Sequence, residues 1–206
     1  TVQFVVDPKM QASIVNLSFG EIEDRLVIPP HPFEIELEGK LVMIELLFVA
    51  KSAAELYEAY QLDQYGYNWT YLPYGPFSTQ SDYLNWLRLF ENGTDPVFFA
   101  ILNKATGKAA GVASFLRINP QWGTIEVGHL NCSLLLKKTK KATEAMSLMM
   151  KLAFENGYYR YEWKCNAINI NSRRAAQRQG LFHERTFRQA LVVKGRSWDT
   201  HSVCRR

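Results

Sequence analysis

One stretch of this 206-residue chain restricts its fold more than any other. Residues 124–133 read as a strand, and Lys137-Lys138-Thr139-Lys140-Lys141 follows as a basic loop. Residues 142–155 then place Ala142, Ala145, Met146, Met149 and Ala153 on one helical face. After Gly157, residues 161–167 are again strand-like. Two strands joined through a helix lie parallel when they share a sheet, by a right-handed crossover. The segments before this unit require the opposite pairing. Residues 97–102 (VFFAIL) and 110–116 flank a short turn from Asn103 to Gly107, so they form an antiparallel hairpin. The expected class is therefore α/β in the α+β sense: a mixed, mostly antiparallel sheet with helices on both faces and one strand–helix–strand crossover.

The rest of the chain fits around that unit. Residues 1–32 are expected to be an N-terminal arm ending in the stiff Pro29-Pro30-His31-Pro32, with one domain over 33–206. A strand is expected over 41–47 and a helix over 53–60 capped by Ser52. An aromatic, turn-rich stretch covers 65–77, and a helix carrying Leu84, Leu87 and Phe90 starts at Ser78 or Ser81. A short Arg-rich helix at 172–179 has Ser172 in capping position, and strands close the chain at 186–193 and 200–204. With 47% hydrophobic and 21% charged residues the chain can bury a core, which excludes disorder and collagen. No apolar run approaches the roughly 18 residues of a membrane helix, and no secretory leader pattern is evident, so a cytoplasmic protein is expected. Three distant cysteines (Cys132, Cys165, Cys204) form no disulfide scaffold, and the four histidines lack metal-ligand spacing, so no metal is expected.

Charge is unevenly divided. Residues 1–136 hold 8 Lys and Arg against 15 Asp and Glu, a net −7, whereas residues 137–206 hold 16 against 5, a net +11. An anionic ligand should meet the C-terminal third. Its basic loop abuts a helix start, where free N–H groups and the helix dipole favour phosphate. Nucleic acid is disfavoured as that anion, because the aromatics that would stack bases sit in the acidic part. That acidic, aromatic part would attract a cationic ligand.

Several motifs point further: WTYLPYGPF (69–77), IEVGHLNCS (125–133), Ala142-Thr143-Glu144-Ala145, the Asn169-Ile170-Asn171-Ser172 to Gly180-Leu181-Phe182 segment, and TFRQALVVKGRSWDT (186–200). Together they resemble the GNAT acyl-CoA N-acyltransferase superfamily, most closely its RimJ/RimL-type branch, over roughly residues 34–203. The resemblance implies the GNAT fold and transfer of an acetyl group from acetyl-CoA, the co-substrate, directly to a primary amine. The acceptor would be a small molecule or a protein N-terminus, and the protein a monomer or homodimer. It implies catalytic roles for Glu126 as general base and Ser172 as donor to the departing thiolate; His129 is the rival base, since a neutral imidazole titrates near working pH. It places the cofactor on the backbone of Leu130, on Lys137, Lys138, Thr139, Lys140, Lys141, Ala142 and Thr143, and on Asn169, Arg173 and Arg174. The acceptor would meet Trp69, Tyr71, Tyr74 and Phe77.

One departure from the pattern keeps a second function open. Lys140 stands where the family's phosphate loop has a glycine, whose permissive dihedrals let backbone approach the pyrophosphate. A non-catalytic acyl-CoA-binding or interaction protein on the same fold would explain that loss.

Overall fold

A computed structural model describes residues 28–32 and 36–206. Of the expected arm, residues 1–27 lie outside the described residues; at its end, the carbonyl of Pro30 accepts a hydrogen bond from the Tyr158 hydroxyl at 3.0 Å. The elements in chain order are β1 (Leu37–Glu38), β2 (Val42–Leu46), α1 (Val49–Gln61), α2 (Gln80–Arg88), β3 (Val97–Asn103), β4 (Lys108–Asn119), β5 (Thr124–Cys132), α3 (Lys140–Glu155), β6 (Arg160–Asn166), α4 (Ile170–Arg178), β7 (Phe182–Val193) and β8 (Arg196–Arg205). They form one eight-stranded sheet in the order β1-β2-β3-β4-β5-β6-β8-β7. Only β5 and β6 run parallel, as the crossover through α3 requires. Among the described residues no helix is long and apolar enough to cross a membrane.

The continuous apolar run of β3 is explained by burial on both faces. Val97, Phe99 and Ile101 join one core with Val127, Met146, Met149 and Ala153 beneath α3. Phe98, Ala100 and Leu102 join the other with Ala53, Leu56, Tyr83 and Leu87 beneath α1 and α2. Helices on both faces follow directly from that alternation.

Several helix starts differ from expectation, each because another polar group satisfies the exposed amides. α1 begins at Val49, not after Ser52, because the Glu91 carboxylate accepts the Val49 N–H at 2.8 Å; Ser52 is buried inside the helix. α2 is capped by Thr79, whose hydroxyl accepts the Asp82 N–H. α3 begins at Lys140 behind Thr139, whose Oγ1 accepts the Lys141 N–H and donates to the Leu136 carbonyl. α4 is capped by Asn169, not Ser172: its Oδ1 accepts the Ser172 N–H at 3.1 Å. The closing strands are longer than expected, because β7 and β8 pair as one hairpin from Phe182 to Cys204.

Candidate functional site

β5 and β6 pair for only four residues, Thr124–Val127 against Arg160–Trp163, and then diverge. The wedge between them is a cleft of ≈ 530 Å³, lined by Gly128, His129 and Leu130 from β5 and by Trp163, Lys164, Cys165 and Asn166 from β6. Arg117, Glu126, Asn169, Ser172 and Trp198 complete it with Tyr71, Leu72 and Pro73 from the aromatic loop.

Bulges aim side chains into this wedge. In β5, His129 and Leu130 stand opposite Ala113 alone, and His129 takes φ +51°. In β4, Arg117 and Ile118 stand opposite Ile125, with Arg117 at φ +48°. Left-handed backbone at such residues costs about 1–3 kcal/mol and persists only where surroundings impose it. At Arg117 the imposing group is Asp95, whose carboxylate accepts both amides freed by the bulge, Arg117 N–H at 2.9 Å and Ile118 N–H at 3.1 Å. A third bulge lies in β7, where Asp199 accepts the Gln189 N–H. Bulges interrupt the regular ladder, so the β5 bulge releases backbone polar groups beside Leu130 at the cleft wall.

Glu126 does not face solvent as a strand-end carboxylate would. It is 2% exposed and accepts three charge-assisted hydrogen bonds: Arg117 Nε at 2.7 Å, Arg117 Nη2 at 2.5 Å and Lys164 Nζ at 2.7 Å. Lys164 also binds Glu162, which binds Arg160. Burial opposes the Lys164 charge, but its bonds to Glu126 and Glu162 outweigh this and hold its ammonium above the ordinary lysine range.

His129 stacks on Tyr74 and hydrogen-bonds its hydroxyl through Nδ1 at 3.0 Å. Burial, with Arg117 adding to it, lowers the imidazole's basicity, so the ring is neutral near pH 7. Burial likewise raises the Tyr74 phenol, which stays protonated. Nε2 has no protein partner among the described residues.

Ser172, relieved of capping, has its hydroxyl oxygen bound by the Trp163 indole N–H at 3.0 Å. Its own O–H hydrogen-bonds the Cys165 sulfur at the cleft wall. Cys165 lies beside it with a thiol raised by burial.

The remaining expected residues divide. Thr139 is the helix cap, and Lys138, Lys140 and Thr143 are exposed around the α3 start with Lys141 and Ala142 partly buried. The left-handed turn falls on Lys138, φ +61°, and Lys140 is already helical, so the glycine's dihedral freedom is not needed at position 140. Lys137 turns away to bind the Asn68 side chain at 2.8 Å, tying this loop to the aromatic one. Arg173 donates to the Ala167 carbonyl, and Arg174 is exposed. Tyr71 lines the cleft and Tyr74 reaches it through His129. Trp69 and Phe77 do not line it: Trp69 is 5% exposed, and both pack into the α1–α2 core and border a separate recess of ≈ 220 Å³. An indole surrounded by Tyr60, Tyr74, Phe77 and Tyr83 is a packing element. Arg117, Trp163, Lys164 and Cys165 were not expected. Lys164 and Cys165 lie in the strand-like segment 161–167 (YEWKCNA) without a signal separating them from ordinary strand residues. Arg117 depends on a bulge that no local pattern announces.

The wedge and the basic helix start together fit an acyl-CoA: an opening for the thioester between two strands and an N-terminal helix edge for its phosphates. The chain matches the acetyltransferase (GNAT) domain family over residues 46–181. No protein of curated function is detectably similar to it in sequence. The crystal structure of a GCN5-related N-acetyltransferase from Brucella melitensis superposes with a TM-score of 0.84 at 39% identity, covering 87% of this chain and 82% of that one. A probable GNAT-family acetyltransferase from Chromobacterium violaceum gives 0.84 at 34% identity, covering 91% and 94%. RimL, a ribosomal L7/L12 alpha-N-protein acetyltransferase solved with coenzyme A, shares the fold at 0.69 and 17% identity, covering 81% and 94%. With two-thirds of its length in the family match and its sheet opened at the same parallel pair that the crossover creates, the chain belongs to the GNAT acetyltransferase family, whose co-substrate is acetyl-CoA.

Proposed function

We propose that the protein is an N-acetyltransferase that moves the acetyl group of acetyl-CoA directly to a primary amine of a small molecule or a protein N-terminus, as a member of the RimJ/RimL-type branch. The observation that carries this reading is the wedge itself: Ser172, the bulged backbone at Leu130, and His129 converge on one cleft where β5 and β6 separate.

Acetyl-CoA supplies the activated thioester; the chain holds and polarises it. The α3 amides, with Lys138, Lys140 and Lys141, bind the phosphates, aided by Thr139, Ala142, Thr143 and Arg174. Asn169 keeps its side-chain N–H₂ for the pantetheine arm while its Oδ1 caps α4. The Leu130 amide donates to the thioester carbonyl oxygen, where negative charge grows. Ser172 donates its O–H to the thioester sulfur in place of Cys165, and the Trp163 N–H on its oxygen polarises it towards donation.

Proton removal from the amine falls to His129. Glu126 already accepts three cationic hydrogen bonds, leaving about one of a carboxylate's four lone-pair sites. In the tautomer whose Nδ1–H donates to the Tyr74 oxygen, the Nε2 lone pair is presented instead. An α-amine, ordinarily titrating at about 7.7–8.0, needs only such modest help.

The test is CoA release from acetyl-CoA across peptide N-termini, amino acids and small amines. Ser172→Ala should lower kcat with little change in acetyl-CoA affinity. His129→Gln should lower the rate by roughly 10²-fold at pH 7 and by less as pH rises past the amine's own titration. Tight acetyl-CoA binding without turnover of any amine would favour the non-catalytic reading, for which Lys140 remains the motive.

A further inference from the structure

The charge balance of residues 1–136 suggests a cationic acceptor, but of the ten carboxylates described there only Glu126 lines the cleft. Glu55 accepts the Ala109 amide, Asp63 the Asn68 amide, Glu91 the Val49 amide and Asp95 those of Arg117 and Ile118. None of them lines the wedge. The charged side chains that do are Arg117, Glu126 and Lys164.

These three are not evenly matched. Glu126 is nearly saturated as an acceptor, whereas its partners have donors to spare. Arg117 grips Glu126 side-on, through Nε–H and one Nη2–H. That leaves the end of the guanidinium, both Nη1–H and the outer Nη2–H, in the fork geometry that holds a second carboxylate. Lys164 gives two of its three N–H groups to Glu126 and Glu162. The Arg117 side chain is 60% exposed against 3% for Glu126, so its unused edge is the open one. The β4 bulge and Asp95 hold the residue that carries it.

Building on the acetyltransferase reading above, we propose that the acceptor amine carries a carboxylate within a few bonds, and that the end-on edge of Arg117, seconded by Lys164, binds it. A free α-amino acid and an N-terminus followed by an acidic residue share that chemistry, and a polyamine does not.

Two measurements test this. In the CoA-loaded protein, N-acetylglycine should shift the Arg117 Nε–H resonance, assigned with Arg117→Lys, and N-acetylglycinamide should not. An equal response to both, or none to either, overturns the proposal whether or not turnover is found. In the CoA-release assay, each acid should exceed its neutral twin by at least tenfold in kcat/KM. Amino acid against amino-acid amide reads the free source, and Ser-Asp against Ser-Asn peptides the N-terminal one. Arg117→Gln should bring the favoured ratio close to one, chiefly through KM. Equal rates for acid and neutral twins in wild type overturn the proposal while leaving acetyl transfer standing. Failure of every amine, with the N-acetylglycine shift intact, overturns the transferase reading instead.

Discussion

Replacing Glu126 by glutamine separates a scaffold from a base. The substitution keeps the side chain's shape but removes the charge that three cationic hydrogen bonds converge on, at a site 2% exposed. Breaking a buried ion pair by removing one partner costs about 3–5 kcal/mol. Here Arg117, 60% exposed, recovers hydration, while Lys164, 24% exposed, recovers less, which places the loss near the lower end, roughly 3 kcal/mol. At about 2–4 °C per kcal/mol for a chain of this size, Tm should fall by roughly 6–12 °C. Turnover should fall too, because Arg117 and Lys164 lose their anchor, and the fractional loss should be the same at pH 7 and pH 9. Thermal unfolding followed by circular dichroism and a pH–rate profile of CoA release measure both. A Tm within about 1 °C of wild type, with a rate loss of roughly 10²–10⁴ that vanishes at high pH, would make Glu126 the base and refute the scaffold argument.

Lys138, Lys140 and Lys141 changed together to Glu should weaken acetyl-CoA binding by more than about tenfold, since charge-assisted contacts to phosphate are among the strong ones; unchanged affinity by calorimetry would move the phosphates elsewhere. Trp69→Ala should destabilise the fold by about 3–5 kcal/mol, as large-to-small core changes do, and not act selectively on the acceptor KM. A stable variant with a raised acceptor KM would return Trp69 to the acceptor site. Hydrogen bonds from Arg160 and Cys204 hold the Glu184 carboxyl at about 2, below its ordinary 4.5. Its stabilising contribution is therefore complete above about pH 4.5 and is lost as pH falls through about 2. Acid unfolding of Glu184→Gln should show a shallower loss over that window, and an identical slope would contradict it.

What the sequence determined by itself is the frame. A basic loop and an amphipathic helix between two strands oblige β5 and β6 to be parallel, and the VFFAIL run obliges β3 to be buried on both faces. These features rest on local periodicity, which each residue carries wherever it is placed. Cofactor class was legible for the same reason, since the basic helix start and the motif at Asn169–Ser172 lie in single segments. The roles inside the cleft were not. Whether Ser172 caps a helix or offers a hydroxyl depends on Asn169 taking the cap, and on a Trp163 indole nine residues away. Whether Glu126 is a free base depends on Lys164, 38 residues distant, and on Arg117, which reaches it only because Asp95 holds a bulge open. Counting carboxylates suggested an acidic entrance, yet Glu55, Asp63, Glu91 and Asp95 are bound to backbone amides away from the cleft. A carboxylate's charge is written in the sequence, but its function depends on which donors surround it. Those donors come from other strands, so only the tertiary structure decided it.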